Sequence, residues 1–265
     1  MTFPIYQIDA FSDRPFAGNP AAVCPLPEWL PAETMQAIAA ENNLAETAFF
    51  VPKTGHEYEI RWFTPAVEVE LCGHATLASA HVLYQHLGFE GPEIVFQSAS
   101  GPLRVLRETN GRLTLDFPSR PPQLLTSHPN GLLDGLGATP LQVLAGPDLI
   151  VLFATEAEVS AIQPNQAQLA QVEYRGVVVT APAADAETDF VSRFFGPRVG
   201  VPEDPVTGSA HTTLVPFWGA KLGKTTLKAR QVSARGGELW CELRGERVLI
   251  SGYAVTYLRG EIEVG

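Results

Sequence analysis

Apolar and polar positions alternate in several short runs of this chain, and twice they give way to a longer stretch that is apolar or small on nearly every face. The short runs predict strands. Ile5-Tyr6-Gln7-Ile8 opens the first, a turn region from Phe11 to Asn19-Pro20 follows, and Ala21 to Cys24 forms a short buried strand. Met35, Ile38 and Ala39 recur at helical spacing within Pro31 to Asn42, and Asn42-Asn43 supplies the stop. Glu46 to Val51 returns as strand, and Tyr58 to Phe63 alternates until Pro65 breaks it. Val67, Val69 and Leu71, alternating with Glu68 and Glu70, predict a further strand with its acidic face in solvent. The two longer stretches are helices: one after Gly73, with Ala75, Leu77, Ala78, Ala80, Val82 and Leu83, and one from Ser209 to Leu222. A helix apolar on most faces is a buried helix. Gly88 and Gly223 suit their C-terminal ends, and Pro216 predicts a kink or a shortened first segment in the second.

The two helices belong to a repeat. Gly73-His74-Ala75-Thr76-Leu77, Leu87-Gly88 and Ser98-Ala99-Ser100-Gly101 superpose without gaps on Gly208-Ser209-Ala210-His211-Thr212, Leu222-Gly223 and Ser233-Ala234-Arg235-Gly236. Upstream, Arg61-Trp62-Phe63 is echoed by Arg193-Phe194-Phe195 across a longer loop. Hairpin turns at Asn110-Gly111 and Arg244-Gly245 complete each copy. Strands, helix and strands, twice over, predict an α+β protein of two related lobes with a central helix in each. The Pro-, Gly- and Ser-rich stretch from Pro118 to Pro140 reads as their connection. The expected lobes are residues 1–117, with the segment 253–265 returning to the first, and 118–252.

Composition narrows the function classes. A net charge of −11 with only 18 Lys and Arg argues against nucleic-acid or anionic-membrane partners. Cys24, Cys72 and Cys241 form no CxxC pair, so neither a disulfide framework nor a zinc knuckle follows. The N-terminus lacks the basic and apolar regions of a signal peptide, and no apolar run nears the roughly 18 residues of a membrane span. A cytoplasmic location is the expectation.

The candidate chemistry clusters at the repeated glycines. Helix N-termini present unpaired N–H groups and a partial positive charge, so Gly73 and Gly208 mark two sites able to hold a small anion. His74 and Ser209 follow them at matching positions, His74 as a hydrogen-bonding or relay group and Ser209 as an anion ligand. The plainer alternatives are an interior histidine and an ordinary N-cap. Glu46 stands among apolar residues at a strand start, where desolvation favours its neutral form and suits a general acid/base. The second half offers no carboxylate at the comparable place before Val177-Val178-Val179, which points to a one-base site. Asp204 either orients His74 or a substrate amine, or starts a turn before Pro205. Cys72 is either a helix-activated thiol or a small buried hydrophobe. Gly219 to Thr225 imitates a phosphate loop but has the wrong spacing and falls at a helix end. No HExxH, GxSxG or GxGxxG followed by an acid occurs.

The segments Ile8-Asp9-Ala10-Phe11, Phe16-Ala17-Gly18-Asn19-Pro20-Ala21-Ala22-Val23, Asn43-Leu44-Ala45-Glu46-Thr47, Glu70 to Thr76 and Asp204 to Ala210 resemble the phenazine-biosynthesis PhzF-like family over nearly the whole chain. The resemblance implies a diaminopimelate epimerase-like fold, each lobe a curved, mostly antiparallel sheet around a central helix, with the active site between the lobes. It implies an isomerase without cofactor or metal, usually a homodimer, for which isomerisation of dihydrohydroxyanthranilate is the model reaction. On that template Glu46 is the acid/base, His74, Asp204 and Ser209 support it, and Gly73, Gly208, Ser209 and Asn19 bind the substrate carboxylate. Cys72 departs from the phenazine enzyme's motif. It matches the first of the two thiols of diaminopimelate epimerase, whereas Ser209 stands at the second. A serine hydroxyl is far too weak an acid to replace that thiol. Three expectations follow: a glutamate-based isomerase of a small carboxylate, a Cys72-dependent epimerase or dehydratase, and a non-catalytic small-acid or protein-binding module.

Overall fold

The computed structural model describes all 265 residues and divides into two compact units, Met1–Asp116 with Ser251–Gly265, and Phe117–Ile250. The first unit contains β1 (Thr2–Ala10), β2 (Asn19–Pro25), α1 (Ala32–Asn42), β3 (Glu46–Pro52), β4 (Glu57–Phe63), β5 (Glu68–Val69), α2 (Gly73–His86), β6 (Glu93–Ser98), β7 (Gly101–Arg107) and β8 (Leu113–Pro118). A C-terminal strand, Ala254–Glu263, runs antiparallel to β1 along its whole length. From there the sheet continues through β2, β3, β4, β6 and β7 to β8, with β5 beside β4. The β2–β3 and β4–β6 pairs are parallel and the others antiparallel.

The second unit repeats this order. It contains β9 (Gln123–Leu124), α3 (Leu132–Leu136), β10 (Gln142–Ala145), β11 (Leu149–Leu152), α4 (Glu156–Ala161), α5 (Gln166–Leu169), β12 (Val177–Pro182), β13 (Phe190–Gly196), β14 (Val201–Asp204), α6 (His211–Leu222), β15 (Thr226–Gln231), β16 (Gly237–Arg244) and β17 (Arg247–Gly252). Here β11–β12 and β13–β15 are the parallel pairs, and β14 lies beside β13 as β5 lies beside β4. The repeat read from the two glycine motifs is therefore a repeat of topology.

α2 is buried on almost every face because Ala75, Leu77, Ala78, Ala80 and Val82 carry no polar atoms beyond the backbone. Two of its buried hydroxyls are satisfied within the helix: Thr76 Oγ1 donates to Cys72 O at 2.6 Å and Ser79 Oγ to Ala75 O at 2.8 Å. Small residues let the flanking strands β1, β2 and β3 pack closely on it. Aromatic residues fill much of the remaining interior: Phe49 and Phe63 meet edge to face in the first unit, and Phe190 stacks on Trp218 in the second.

Three sequence expectations are corrected. The second helix does not begin at Ser209: Gly208–Ala210 forms a 3-10 turn, and α6 starts at His211. With that start, the segment of α6 ahead of Pro216 is shortened to residues 211–215, one of the two outcomes expected of this proline. The Thr212 carbonyl, which would have accepted the N–H that proline lacks, takes the Arg120 backbone N–H at 2.9 Å instead. Pro118 to Pro140 is not a bare connection, since α3 lies within it and buries Leu132 and Leu136 in the second core. The strand around Val67 to Leu71 is only Glu68–Val69, because the Thr64 hydroxyl accepts the Ala66 and Val67 N–H groups and closes a turn. Val67 and Leu71 are exposed there, and Glu68 is held by Arg61.

Candidate active site

Three chain turns in the first unit bring four side chains together. Gly18 ends the loop after β1 at φ 68°, and a Cβ there would lie 2.1 Å from Ala10 O, so only glycine can deliver Asn19 to the start of β2. Asn43 caps α1 in the left-handed conformation, its N–H bonded to Ala39 O, and turns the chain into β3 at Glu46. Parallel pairing then sets Glu46 opposite Ala21. Cys72 caps α2 with extended backbone, so Gly73 and His74 form the first turn, whose N–H groups have no partner earlier in the helix.

The other three converge on the His74 ring. Asn19 Nδ2 lies 3.3 Å and Cys72 Sγ 3.5 Å from Nδ1. Glu46 Oε2 lies 3.2 Å from Nε2 on the other side, although the nitrogen is not aligned with it as a hydrogen bond. A donor amide at Nδ1 leaves the ring proton on Nε2, facing the carboxylate. Burial drives the His74 pKa down to about 3, so the ring is neutral at physiological pH even beside a carboxylate. Glu46, Cys72 and His74 also offer donor atoms within 4.8 Å of one another. Cys72 and Glu46 approach opposite nitrogens of one ring, however, an arrangement that suits proton transfer better than coordination of a single ion.

The matching place in the second unit is built differently. Gln231 pins the segment before the 3-10 turn: its Oε1 accepts the Thr207 N–H at 2.9 Å, and its Nε2 donates to Asp204 O at 2.7 Å. The Asp204 carboxylate accepts Thr207 Oγ1 at 2.5 Å, so the turn reading of Asp204 describes its local role. Ser209 is not an N-cap. Its Oγ accepts a hydrogen bond from Arg175 Nη2 at 3.1 Å. Arg175 is in turn bound side-on to buried Asp148, with Nε to Oδ1 at 2.8 Å and Nη2 to Oδ2 at 2.6 Å. Sequence reading passed over both residues. The available signal was an arginine two residues before the strand that repeats β3.

The structure thus groups Asn19, Glu46, Gly73, His74 and Cys72 in the first unit, and Asp204, Gly208 and Ser209 in the second, where Arg175 joins them.

Buried neutral histidines make stability depend on pH. Burial lowers the pKa of His74 to about 3 and that of His211 to about 4; for His81, also about 4, the neighbouring His86 adds to the effect of burial. The unfolded chain takes up protons on these rings near pH 6.5 and the folded chain does not. Stability is therefore fully present above that pH and falls as the solution is acidified toward the folded values. The slope reaches about 1.4 kcal/mol per pH unit for each histidine. Urea unfolding at pH 7.5 and pH 5 should show a clear loss at the lower pH, and equal midpoints would contradict neutral burial.

Two mixed sheets of the same strand order, one helix buried against each, define a diaminopimelate epimerase-like fold. Residues 8–260 match the family model described as phenazine biosynthesis-like protein, and the chain belongs to that family, PhzC-PhzF. An uncharacterized isomerase of Pseudomonas aeruginosa is 52% identical over 100% of both chains. The crystal structure of a PhzF-family protein of Enterococcus faecalis superposes with a TM-score of 0.95 at 44% identity over 100% of both chains. A hydroxyproline epimerase of Agrobacterium vitis shares the fold alone, with a TM-score of 0.59 at 11% identity over 98% of this chain and 92% of its own. No helix is long and apolar enough to cross a membrane.

Proposed function

We propose that the protein is a cofactor-independent isomerase of a small carboxylate, with Glu46 removing a proton next to an unsaturated or carbonyl system and returning it elsewhere on the same molecule. The observation that carries this reading is the 3.2 Å approach of the half-buried Glu46 carboxylate to a neutral, buried His74. A neutral ring forms no ion pair with the carboxylate. The Nε2–H can stabilise negative charge that develops on the substrate. Asn19 fixes the tautomer that this requires. Within the first unit the Gly73 N–H is assigned to binding an anion; within the second, Ser209 and the Gly208 N–H are assigned to the substrate carboxylate, and Asp204 to a supporting role through its turn. Relatives named as isomerases, at 52% identity in one case, support the reaction class. Isomerisation of the dihydrohydroxyanthranilate type is its model.

The test is solvent deuterium incorporation, followed by mass spectrometry, with dihydrohydroxyanthranilate and a panel of small amino and hydroxy acids. Incorporation that requires Glu46 supports the proposal; incorporation indifferent to Glu46 refutes it.

One observation favours a second reading. Cys72 Sγ lies 3.5 Å from His74 Nδ1, so a thiol can exchange its proton with the same ring. Under the leading proposal Cys72→Ala keeps deuterium incorporation within a few-fold of wild type. Complete loss in Cys72→Ala, with activity retained in Glu46→Gln, would make the thiol the base.

A further inference from the structure

The repeat allows the two halves to be aligned atom by atom, and their difference is informative. Arg61 pairs with Phe49 across β3–β4, and Arg193, its echo, pairs with Val179 across β12–β13. Counting back equally along the two strands sets Glu46 level with Gly176, one residue after Arg175. In the first unit the strand-start residue Glu46 reaches His74, directly after the helix-opening glycine, at 3.2 Å. In the second, Arg175, two residues before β12 and one position out of register with Glu46, reaches Ser209, directly after Gly208, at 3.1 Å. In each unit a charged side chain near the strand start meets the residue after the helix-opening glycine, a carboxylate in one and, one position out of register, a guanidinium in the other.

We propose that Arg175 is a substrate-binding residue that takes a carboxylate of the substrate beside Ser209, and that it selects substrates carrying this anionic group. The proposal rests on the assignment of Ser209 to the substrate carboxylate and names the cation that assignment lacked. The guanidinium is pre-organised on three sides. Its Nε–Nη2 edge is engaged by Asp148, which is 3% exposed, its face lies over the Phe194 ring at 5.4 Å, and Nη2 also reaches Ser209 Oγ. Nη1 and Nη2 form the second edge of the fork, so the edge directed at Ser209 is of the kind that binds a carboxylate through two N–H groups. Gly176 keeps this platform in place: a Cβ there would lie 2.2 Å from the Phe194 ring. The side chain is nevertheless 46% exposed, and a ligand can reach it. Asp148 already balances its charge, so the preference it confers comes from directed N–H groups and is of charge-assisted hydrogen-bond size.

The experiment is calorimetric titration of the intact protein with anthranilate and with 2-aminobenzamide, which differ in the carboxylate alone. Wild type should bind anthranilate roughly 10- to 100-fold more tightly than the amide. Arg175→Met should lower that preference about tenfold or more while the amide's affinity stays the same. Because this variant leaves Asp148 buried without its partner, the double variant Arg175→Met/Asp148→Asn removes both charges and should behave alike in binding with a recovered melting temperature. Equal affinity for acid and amide in wild type, or a preference undiminished in both variants, overturns the proposal and reduces Arg175 to a structural partner of Asp148. Glu46→Gln should keep the anthranilate preference. If the preference drops with Arg175 but Glu46→Gln still incorporates solvent deuterium, Arg175 stands and the glutamate mechanism falls; the reverse pair of results leaves the glutamate mechanism and removes Arg175.

Discussion

Glu46→Gln should lower deuterium incorporation and turnover by about 10²- to 10⁴-fold, the range that a positioned general acid/base supplies. Glutamine keeps the size and planarity of glutamate and its ability to accept a hydrogen bond, but it has no basic site near neutrality. Stability should change little. The neighbouring imidazole is neutral, with its pKa held at about 3 by burial, so removing the carboxylate charge leaves no buried cation without a partner. The two measurements separate catalysis from folding: an activity loss with an unchanged melting temperature assigns Glu46 to the chemistry. A variant with wild-type turnover would show that the 3.2 Å contact to His74 is structural. Substrate affinity should fall far less than turnover, because the carboxylate-binding groups assigned here lie elsewhere in the chain.

Much of this arrangement was legible in the sequence, because the same few constraints are written twice. Strand-period alternation located β3 and β4, and the unbroken small-residue pattern after Gly73 marked α2 as a buried helix. The register of β3 against β12 bears directly on the one-base argument: the place level with Glu46 is a glycine. What the sequence could not show was which groups would satisfy one another over long separations. Asn19 at the His74 ring is a contact across 55 residues, and Arg175 at Ser209 one across 34. Neither leaves a periodicity or a spacing to read. For Ser209 the sequence left an N-cap open beside the anion-ligand reading, because serine at a helix start commonly is one. The 3-10 turn at Gly208–Ala210 shifts the α-helix start to His211 and frees the hydroxyl for Arg175. Likewise the prolines between Pro118 and Pro140 suggested a linker, whereas the apolar residues between them are what the second core required.

Arg193→Met should destabilise the protein by about 3–5 kcal/mol, and the equivalent change Arg61→Met by about 1 kcal/mol or less. The two arginines occupy the same place in the repeat and make the same principal contact. Arg61 binds Glu68 beside β4 through Nε and Nη2, both at 2.7 Å, and Arg193 binds Glu203 beside β13 through Nε at 2.8 Å and Nη2 at 3.0 Å. Each also lies over an aromatic ring, Phe63 at 5.2 Å and Phe195 at 4.9 Å. They differ in their access to water. The Arg61 and Glu68 side chains are 31% and 42% exposed, so solvent screens the pair and rehydrates whichever partner remains. The Arg193 side chain is 11% exposed, and its Nη1 donates to the carbonyls of Val159 at 3.1 Å and Ile162 at 2.8 Å, at the end of α4. Methionine there fills most of the space but leaves two buried carbonyls without this donor, together with a carboxylate that is 25% exposed. Denaturant melts of the two variants read the difference directly. Equal losses would mean that the ion pair carries the contribution, whereas a large gap assigns it to the buried α4 carbonyls that only the second copy presents.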